Sequence, residues 1–292
     1  MKKRVAIQGY QGAFHQEAVE SYWPQGAELV ECATFEQLVQ SVVKGKAHYG
    51  VMAVENSLVG CILPNFLLIR ESGLSVIGEV YLRITQNLMA LPGETLSSLR
   101  RVESHYMAVA QCKDFLGSNQ HLSVVESIDT ALSARNIAQH SLRGVGAIGS
   151  MAAANLYGLD VIAPSIEINK ENFTRFLVLS PINQPITSDV AVKTTIAFAL
   201  KHQPGSLAGV LNHIADSGAN LTMLQSLPMV GHAWEYIFHA DICFDTMEQA
   251  KRMLSLLSLS LPSLWVMGVY PQAEMAMQGS SVESSKTHNH EC

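Results

Sequence analysis

Charge is sparse in this chain of 292 residues: Asp, Glu, Lys and Arg together make up 15% of it, and 19 basic against 25 acidic side chains leave a formal charge of −6. Broad nucleic-acid binding needs clustered positive charge to displace counterions, and this balance argues against it. No uncharged apolar run reaches the 18 or so residues that cross a bilayer as a helix. The start, Met1-Lys2-Lys3-Arg4, is basic like a secretion signal, yet Val5-Ala6-Ile7 gives way at once to Gln8, too soon for an apolar signal core. The five cysteines, Cys32, Cys61, Cys112, Cys243 and Cys292, are odd in number and form no CxxC pair. A disulfide framework, a zinc ribbon and a thioredoxin motif therefore lack support, and a reducing, cytoplasmic compartment is expected. Neither HExxH nor Gly-x-Ser-x-Gly occurs, and His288 and His290 lie in a polar terminal stretch. No metal or acyl-enzyme chemistry is indicated, and the expected partners are small molecules.

What is present is apolar: 48% of the residues are hydrophobic, enough for a sizeable core over about two domains. Up to about residue 165, short apolar runs alternate with helical patterns. Arg4–Gln8 reads as a strand, Phe14 to about Tyr22 as a helix and Glu28–Cys32 as a strand. Phe35, Leu38, Val39 and Val42 then form one helical face behind a Thr34/Gln37 capping signature. Tyr49–Val54 is a near-continuous apolar strand, and Pro64 suits the first turn of the next helix. The expectation is an α/β domain over 1–182 with mostly parallel sheet. Pro181–Asp189 carries two prolines, which places a linker at 183–192. From 193 to 271 the pattern reads βαββαβ, the ferredoxin-like plan, with Asp245 and Glu248 starting its second helix. The polar stretch 278–292 reads as a disordered tail.

Gly144-Val145-Gly146-Ala147-Ile148-Gly149 matches GxGxxG, but the dinucleotide fingerprint needs a strand before its glycines. Here a helical pattern precedes them, so they serve close packing of the strand. Three polar clusters weigh more: Glu55-Asn56-Ser57 after an apolar strand, Glu103-Ser104-His105 ahead of a helix carrying Gln111, and Thr174-Arg175-Phe176. Each alone is accounted for by helix capping. Three together point to a polar site for an anion, held by helix N-termini and an arginine fork.

These clusters occur in a familiar order. Val5-Ala6-Ile7-Gln8-Gly9-Tyr10-Gln11-Gly12-Ala13-Phe14, Glu55-Asn56-Ser57-Leu58-Val59-Gly60, Ser104-His105 through Gln111-Cys112, Glu126-Ser127 with Thr130-Ala131, and Thr174-Arg175-Phe176 resemble successive motifs of prephenate dehydratases. The βαββαβ segment resembles the ACT regulatory domain that follows in that family. The resemblance implies a two-lobed catalytic domain, like periplasmic binding proteins, that turns prephenate into phenylpyruvate with loss of water and carbon dioxide and without cofactor or metal. It also implies feedback by L-phenylalanine and a homodimer or homotetramer.

Carried over residue by residue, the resemblance makes Thr174, Arg175 and Glu126 catalytic, with Thr174 the proton donor to the leaving hydroxyl. Asn56, Ser57, Ser104, His105, Gln111 and Phe176 become substrate-binding. Gly205, Ser206, Leu207, Asn220, Leu221, Gln225 and Ser226 become effector-binding. The sequence departs from the family at Ala13, at Tyr106-Met107 and at Gln225-Ser226-Leu227-Pro228, where the usual Glu and Arg are missing. Trp234-Glu235-Tyr236 keeps the family pattern. Two alternatives stay open: arogenate dehydratase, with an amino group on the substrate side chain, and a two-lobed amino-acid sensor without catalysis.

Overall fold

A computed structural model describes residues 2–182, 190–229 and 236–273. The expected linker segment 183–189, the Trp234-Glu235 pair and the expected tail lie outside the described residues. In chain order the elements are β1 Arg4–Gln8, α1 Phe14–Tyr22, β2 Glu28–Cys32, α2 Phe35–Val43, β3 Tyr49–Asn56, β4 Gly60–Cys61, α3 Leu63–Ser72 and β5 Ser75–Arg83. Then come β6 Asn87–Ala90, β7 Arg101–His105, α4 Tyr106–Gln111, α5 Lys113–Ser118, β8 Ser123–Ser127, α6 Thr130–Gln139, β9 Val145–Gly149, α7 Met151–Tyr157, β10 Asp160–Ala163 and β11 Phe173–Ser180. The last group is β12 Val192–Ala199, α8 Ser206–Asp216, β13 Asn220–Pro228, β14 Tyr236–Phe244, α9 Met247–Ser260 and β15 Ser263–Pro271.

Three sheets result: β2-β1-β3-β11-β5 with β4 on β3, then β10-β6-β9-β7-β8, then β13-β14-β12-β15. The expected α/β, two-lobed fold is borne out, but the sheets are mixed, not mostly parallel. β11 runs antiparallel between β3 and β5, and β6 antiparallel between β9 and β10. The reason is topological. The chain enters the second lobe after β5 and returns to the first as β11, so the returning strand meets its neighbours from the opposite end.

The two crossings run side by side: Ile84 N–H donates to Asn172 O at 2.7 Å and Ile166 N–H to Gln86 O at 2.8 Å. Buried Glu167 ties them further, its Oε2 accepting from the Gln86 N–H at 2.8 Å. A second contact between lobes forms where Gly12 meets α7. Its φ is +91°, and a Cβ there would stand 2.9 Å from the Ala153 Cα, so the position needs glycine. Ser150 Oγ donates to the Gly12 carbonyl, and Tyr157 Oη to that of Gln11 at 2.7 Å.

Local chemistry sets the helix starts. Thr34 Oγ1 accepts the Gln37 N–H at 3.2 Å, and the Gln37 side chain reaches back to Ala33 N–H at 3.0 Å. The second helix of the C-terminal unit begins one residue later than the sequence suggests. Thr246, not Asp245, is the cap, because its Oγ1 and the Gln249 side chain close a full capping box. The βαββαβ order and antiparallel sheet of that unit are as expected. Its core joins Val210 and Ile214 of α8 to Ala250, Met253 and Leu257 of α9 over the sheet. Of the GxGxxG glycines, Gly146 lies inside β9, where a Cβ would meet Leu88 Cδ1 at 2.9 Å. It is a packing glycine.

β15 lies against β5 so closely that a Cβ on Gly268 would fall 2.1 Å from the Val76 carbonyl oxygen. The C-terminal sheet is thereby docked on the first lobe, and Tyr270 and Met267 enter that lobe's core.

Candidate active site

β1 and β3 are parallel and end on the same edge of the first sheet, where β11, being antiparallel, begins. This edge faces the second lobe. The cleft between them has a volume of about 640 Å³. Its floor carries Gln8, Asn56, Gln86, Thr174 and Phe176, and the second lobe contributes His105, Gln111, Asp129 and Thr130. Phe14, Phe35, Ile62, Ile84, Met107 and Ile128 make much of the wall apolar.

Asn56 and Thr174 are register partners at this edge. Asn56 Nδ2 donates toward Thr174 Oγ1 at 3.0 Å, Asn172 Oδ1 at 2.8 Å and Phe173 O at 3.1 Å. Its Oδ1 accepts the N–H groups of Leu58 and Val59 at 3.0 and 3.2 Å. Both ends of the amide are therefore fixed. Because Asn56 donates into the threonine oxygen, the Thr174 hydroxyl proton is left to point elsewhere, and the donated bond polarises the O–H. Thr174 is 9% exposed, and what it exposes borders the cleft, within reach of a ligand there.

Gln86 Nε2 donates to Gln111 Oε1 at 3.1 Å across the lobes, while the Gln86 Oε1 is buried with no partner among the described residues. The starts of α1, α2 and α6 border the same cavity through Phe14, Thr34 and Asp129-Thr130. No side chain among the described residues caps α1; the Gln16 N–H turns back to the Ala13 carbonyl at 2.8 Å, which leaves the N–H groups of Phe14 and His15 for an anion. His15, between the rings of Phe35 and Phe176 at 5.8 and 5.0 Å, is lowered by burial to about 4 and is thus neutral. Among the described lining residues there is no Lys or Arg; the charged ones are Glu36 and Asp129.

The sequence-derived residues divide accordingly. Thr174, Asn56, His105, Gln111 and Phe176 do line the cleft. Ser104 does not: it is fully buried and donates to the Ile148 carbonyl at 2.7 Å. Ser57 braces the return strand, donating to Glu171 O and accepting from Phe173 N–H, both at 2.9 Å. Glu126 sits on the exposed edge strand β8, away from the lining.

Arg175 is the largest correction. Next to Thr174 on a strand, its side chain must leave by the opposite face, and it does. Its Nε meets Glu79 Oε2 at 2.8 Å, its Nη1 Asp241 Oδ2 at 2.5 Å, and its Nη2 the Tyr270 hydroxyl at 3.1 Å. Lys193 joins Glu79 at 2.8 Å and Tyr81 Oη at 3.0 Å. Arg175 therefore binds the C-terminal sheet rather than substrate. Sequence reasoning missed His15, Gln86, Asp129 and Thr130. Thr130 did belong to a motif of the resemblance, with Ala131, and Asp129 carried the signal of a helix cap; its Oδ1 indeed accepts the Leu132 N–H at 2.8 Å.

In the C-terminal unit a cavity of about 130 Å³ is lined by Leu200, Lys201, His202, Gln203, Ser206, Leu207, Tyr236 and Phe238. Gly205, with φ +80°, turns the chain into α8 beside it, and Ser226 pairs with Phe238. Asn220 and Leu221 pair with Cys243 and Ile242 at the other end of β13, away from this cavity, and Leu221 packs in the core. Gln225 pairs with His239 and does not line it.

Residues 5–184 match the family described as prephenate dehydratase. Arogenate dehydratase 2 of Petunia hybrida is 35% identical over 287 residues, covering 92% of this chain and 71% of the relative. A solved structure described as a novel type of quorum quenching acylase superposes with a TM-score of 0.83 at 30% identity, over 93% of this chain and 98% of that one. Prephenate dehydratase of Arthrobacter aurescens in complex with L-Phe superposes with a TM-score of 0.82 at 27% identity, over 92% and 90% of the two chains. The match over most of the first two lobes, with the Asn56–Thr174 pair at the cleft floor, places this chain in the prephenate dehydratase family.

Proposed function

We propose that this prephenate dehydratase uses Thr174 to protonate the leaving C4 hydroxyl while the C1 carboxylate departs as carbon dioxide. The electron pair of the breaking C1–carboxylate bond enters the ring, the C4–O bond breaks, and water and phenylpyruvate leave. Aromatisation supplies the driving force, so the protein need only position the ring and assist the hydroxide. The Asn56 to Thr174 hydrogen bond at 3.0 Å carries this reading, because it fixes the one hydroxyl of the floor with its proton free.

The lack of Lys and Arg in the described lining fits the chemistry. A cation gripping the departing carboxylate would stabilise the ground state more than a transition state in which that charge is vanishing. Apolar wall against it has the opposite effect. The carboxylate that stays, on the side chain, is better served by helix N-termini and by amides such as Gln86. The C-terminal unit acts as an ACT-type sensor of L-phenylalanine, in a homo-oligomer. Supporting this are the Gly205 turn, the cavity over Ser206 and Leu207, and the relative solved with L-Phe.

The test is phenylpyruvate formation from prephenate by the purified chain, with and without phenylalanine. Turnover that phenylalanine suppresses supports both parts. Turnover indifferent to phenylalanine, with no heat of binding in calorimetry, removes the sensor role. A folded protein that turns over neither prephenate nor its amino counterpart arogenate removes the catalytic reading.

A further inference from the structure

The cleft holds a buried-side carboxylate that the proposed reaction leaves unused. Asp129 lines it from the second lobe at the start of α6. Capping explains one oxygen, Oδ1, which accepts the Leu132 N–H at 2.8 Å. The other, Oδ2, lies over Gly9 at the end of β1, and that approach is built in: a Cβ on Gly9 would stand 2.7 Å from it, and the φ of +93° suits glycine. Burial pushes the Asp129 carboxyl up, against the Leu132 and Ala131 N–H groups and the nearby His105 and Arg135, which lower it. Arg135, whose guanidinium lies over the Tyr10 ring, acts on this carboxylate from outside the described lining, which itself holds no Lys or Arg. A cation on a ligand in the cleft therefore meets Asp129 without a competing lysine or arginine in that lining.

Its place relative to Thr174 matters. β1 and β11 both flank β3, so they lie two strand spacings, about 10 Å, apart. Ile7 pairs with Val51 and Phe176 with Ala53, which sets Gly9 level with Phe176 and near the same edge as Thr174. The leaving hydroxyl and the three-carbon side chain of the substrate sit on para carbons of one ring. That para placement lets a ring with its hydroxyl at Thr174 reach toward Gly9 and Asp129 with its side chain.

We infer that Asp129 is a specificity-determining residue that accepts hydrogen bonds from an ammonium on the substrate side chain, so that the cleft favours arogenate, the amino counterpart, over the ketone prephenate. This rests on the reading of Thr174 as proton donor. Arogenate carries one ammonium and two carboxylates, prephenate two carboxylates alone, and a cleft whose fixed charges are acidic distinguishes them by that group.

The experiment compares kcat/KM for arogenate and for prephenate in the wild type, Asp129→Asn and Asp129→Ser. Asn and Ser cap helices about as well as Asp, so α6 keeps its start in both variants. The wild type is expected to prefer arogenate. Both variants should lower the arogenate-to-prephenate ratio about ten- to a hundredfold, the range for losing a hydrogen bond to a charged group. A ratio unchanged in both variants overturns the inference and leaves Asp129 a helix cap. Prephenate turnover with none of arogenate overturns it too, while the catalytic reading stands. No turnover of either substrate overturns the catalytic reading, and this inference with it.

Discussion

The two faces of β11 handle polar groups in opposite ways. On the cleft face, Thr174 is tied to the amide of Asn56 and borders a cavity. On the other, Arg175 and Lys193 balance Glu79 and Asp241, all four 4% exposed or less, with Tyr270 and Thr195 completing the knot. The first arrangement is neutral and leaves a proton free for a ligand. The second is charged and paired within itself, drawing on β5 and β11 of the first lobe and on β12, β14 and β15 of the C-terminal sheet. Neighbouring residues can thus serve chemistry and cohesion separately, because a strand sends them to opposite sides. A buried ion pair adds little over a well-packed apolar substitute, but removing one partner strands the other without water.

The sharpest way to break the comparison is to cut each face alone. Thr174→Ala should lower kcat by about a hundred- to ten-thousandfold, the usual range for losing a general acid. KM should change little, and the urea midpoint should hardly move. Asp241→Ala should do the reverse in stability, costing about 3–5 kcal/mol in urea unfolding because Arg175 loses its closest partner. If Asp241→Ala left stability unchanged, the knot would not be what joins the sheets.

A third effect sharpens the contrast through pH. His239, fully buried in β14 with neither ring nitrogen partnered among the described residues, is lowered to about 4 by burial and by Arg70, against about 6.5 when unfolded. Between those values the unfolded chain binds the extra proton. Stability is then fully present above pH 6.5 and declines as the pH falls toward 4, by on the order of 3 kcal/mol. His15 contributes in the same direction. His239→Leu should flatten this slope without removing the His15 part, as urea unfolding at several pH values would show. The smallest effect expected is that of Gly268→Ala. A Cβ against the Val76 carbonyl should push β15 from β5, at about 1–3 kcal/mol for an overpacked contact. Limited proteolysis between the first lobe and the C-terminal sheet would detect it.

Much of this was legible in residue order, and the exceptions have physical causes. The alternation of a strand already shows that Ser104 and His105 diverge; applied to Thr174 and Arg175, it would have taken Arg175 out of the cleft. What alternation cannot supply is the partner, since Asp241 lies 66 residues away and reaches Arg175 only when the sheets dock. Glu126 carried a motif resemblance, yet edge strand β8 leaves it exposed. Gln86 had no motif at all. Its role follows from the crossing between lobes, where Glu167 fixes its backbone and Gln111 its side chain.

By itself the sequence determined the periodic things: which segments are strands and helices, where caps and turns fall, the βαββαβ order and the family motifs. These are local, set by side chains within a few residues of one another. The tertiary structure decided the rest. It determined which face of β11 meets the cleft, that the cleft has no cation among its described lining residues, and that Asp129 stands over Gly9. Each of these depends on strands brought together from distant parts of the chain, and a pattern of period two or 3.6 carries no record of what lies across the gap.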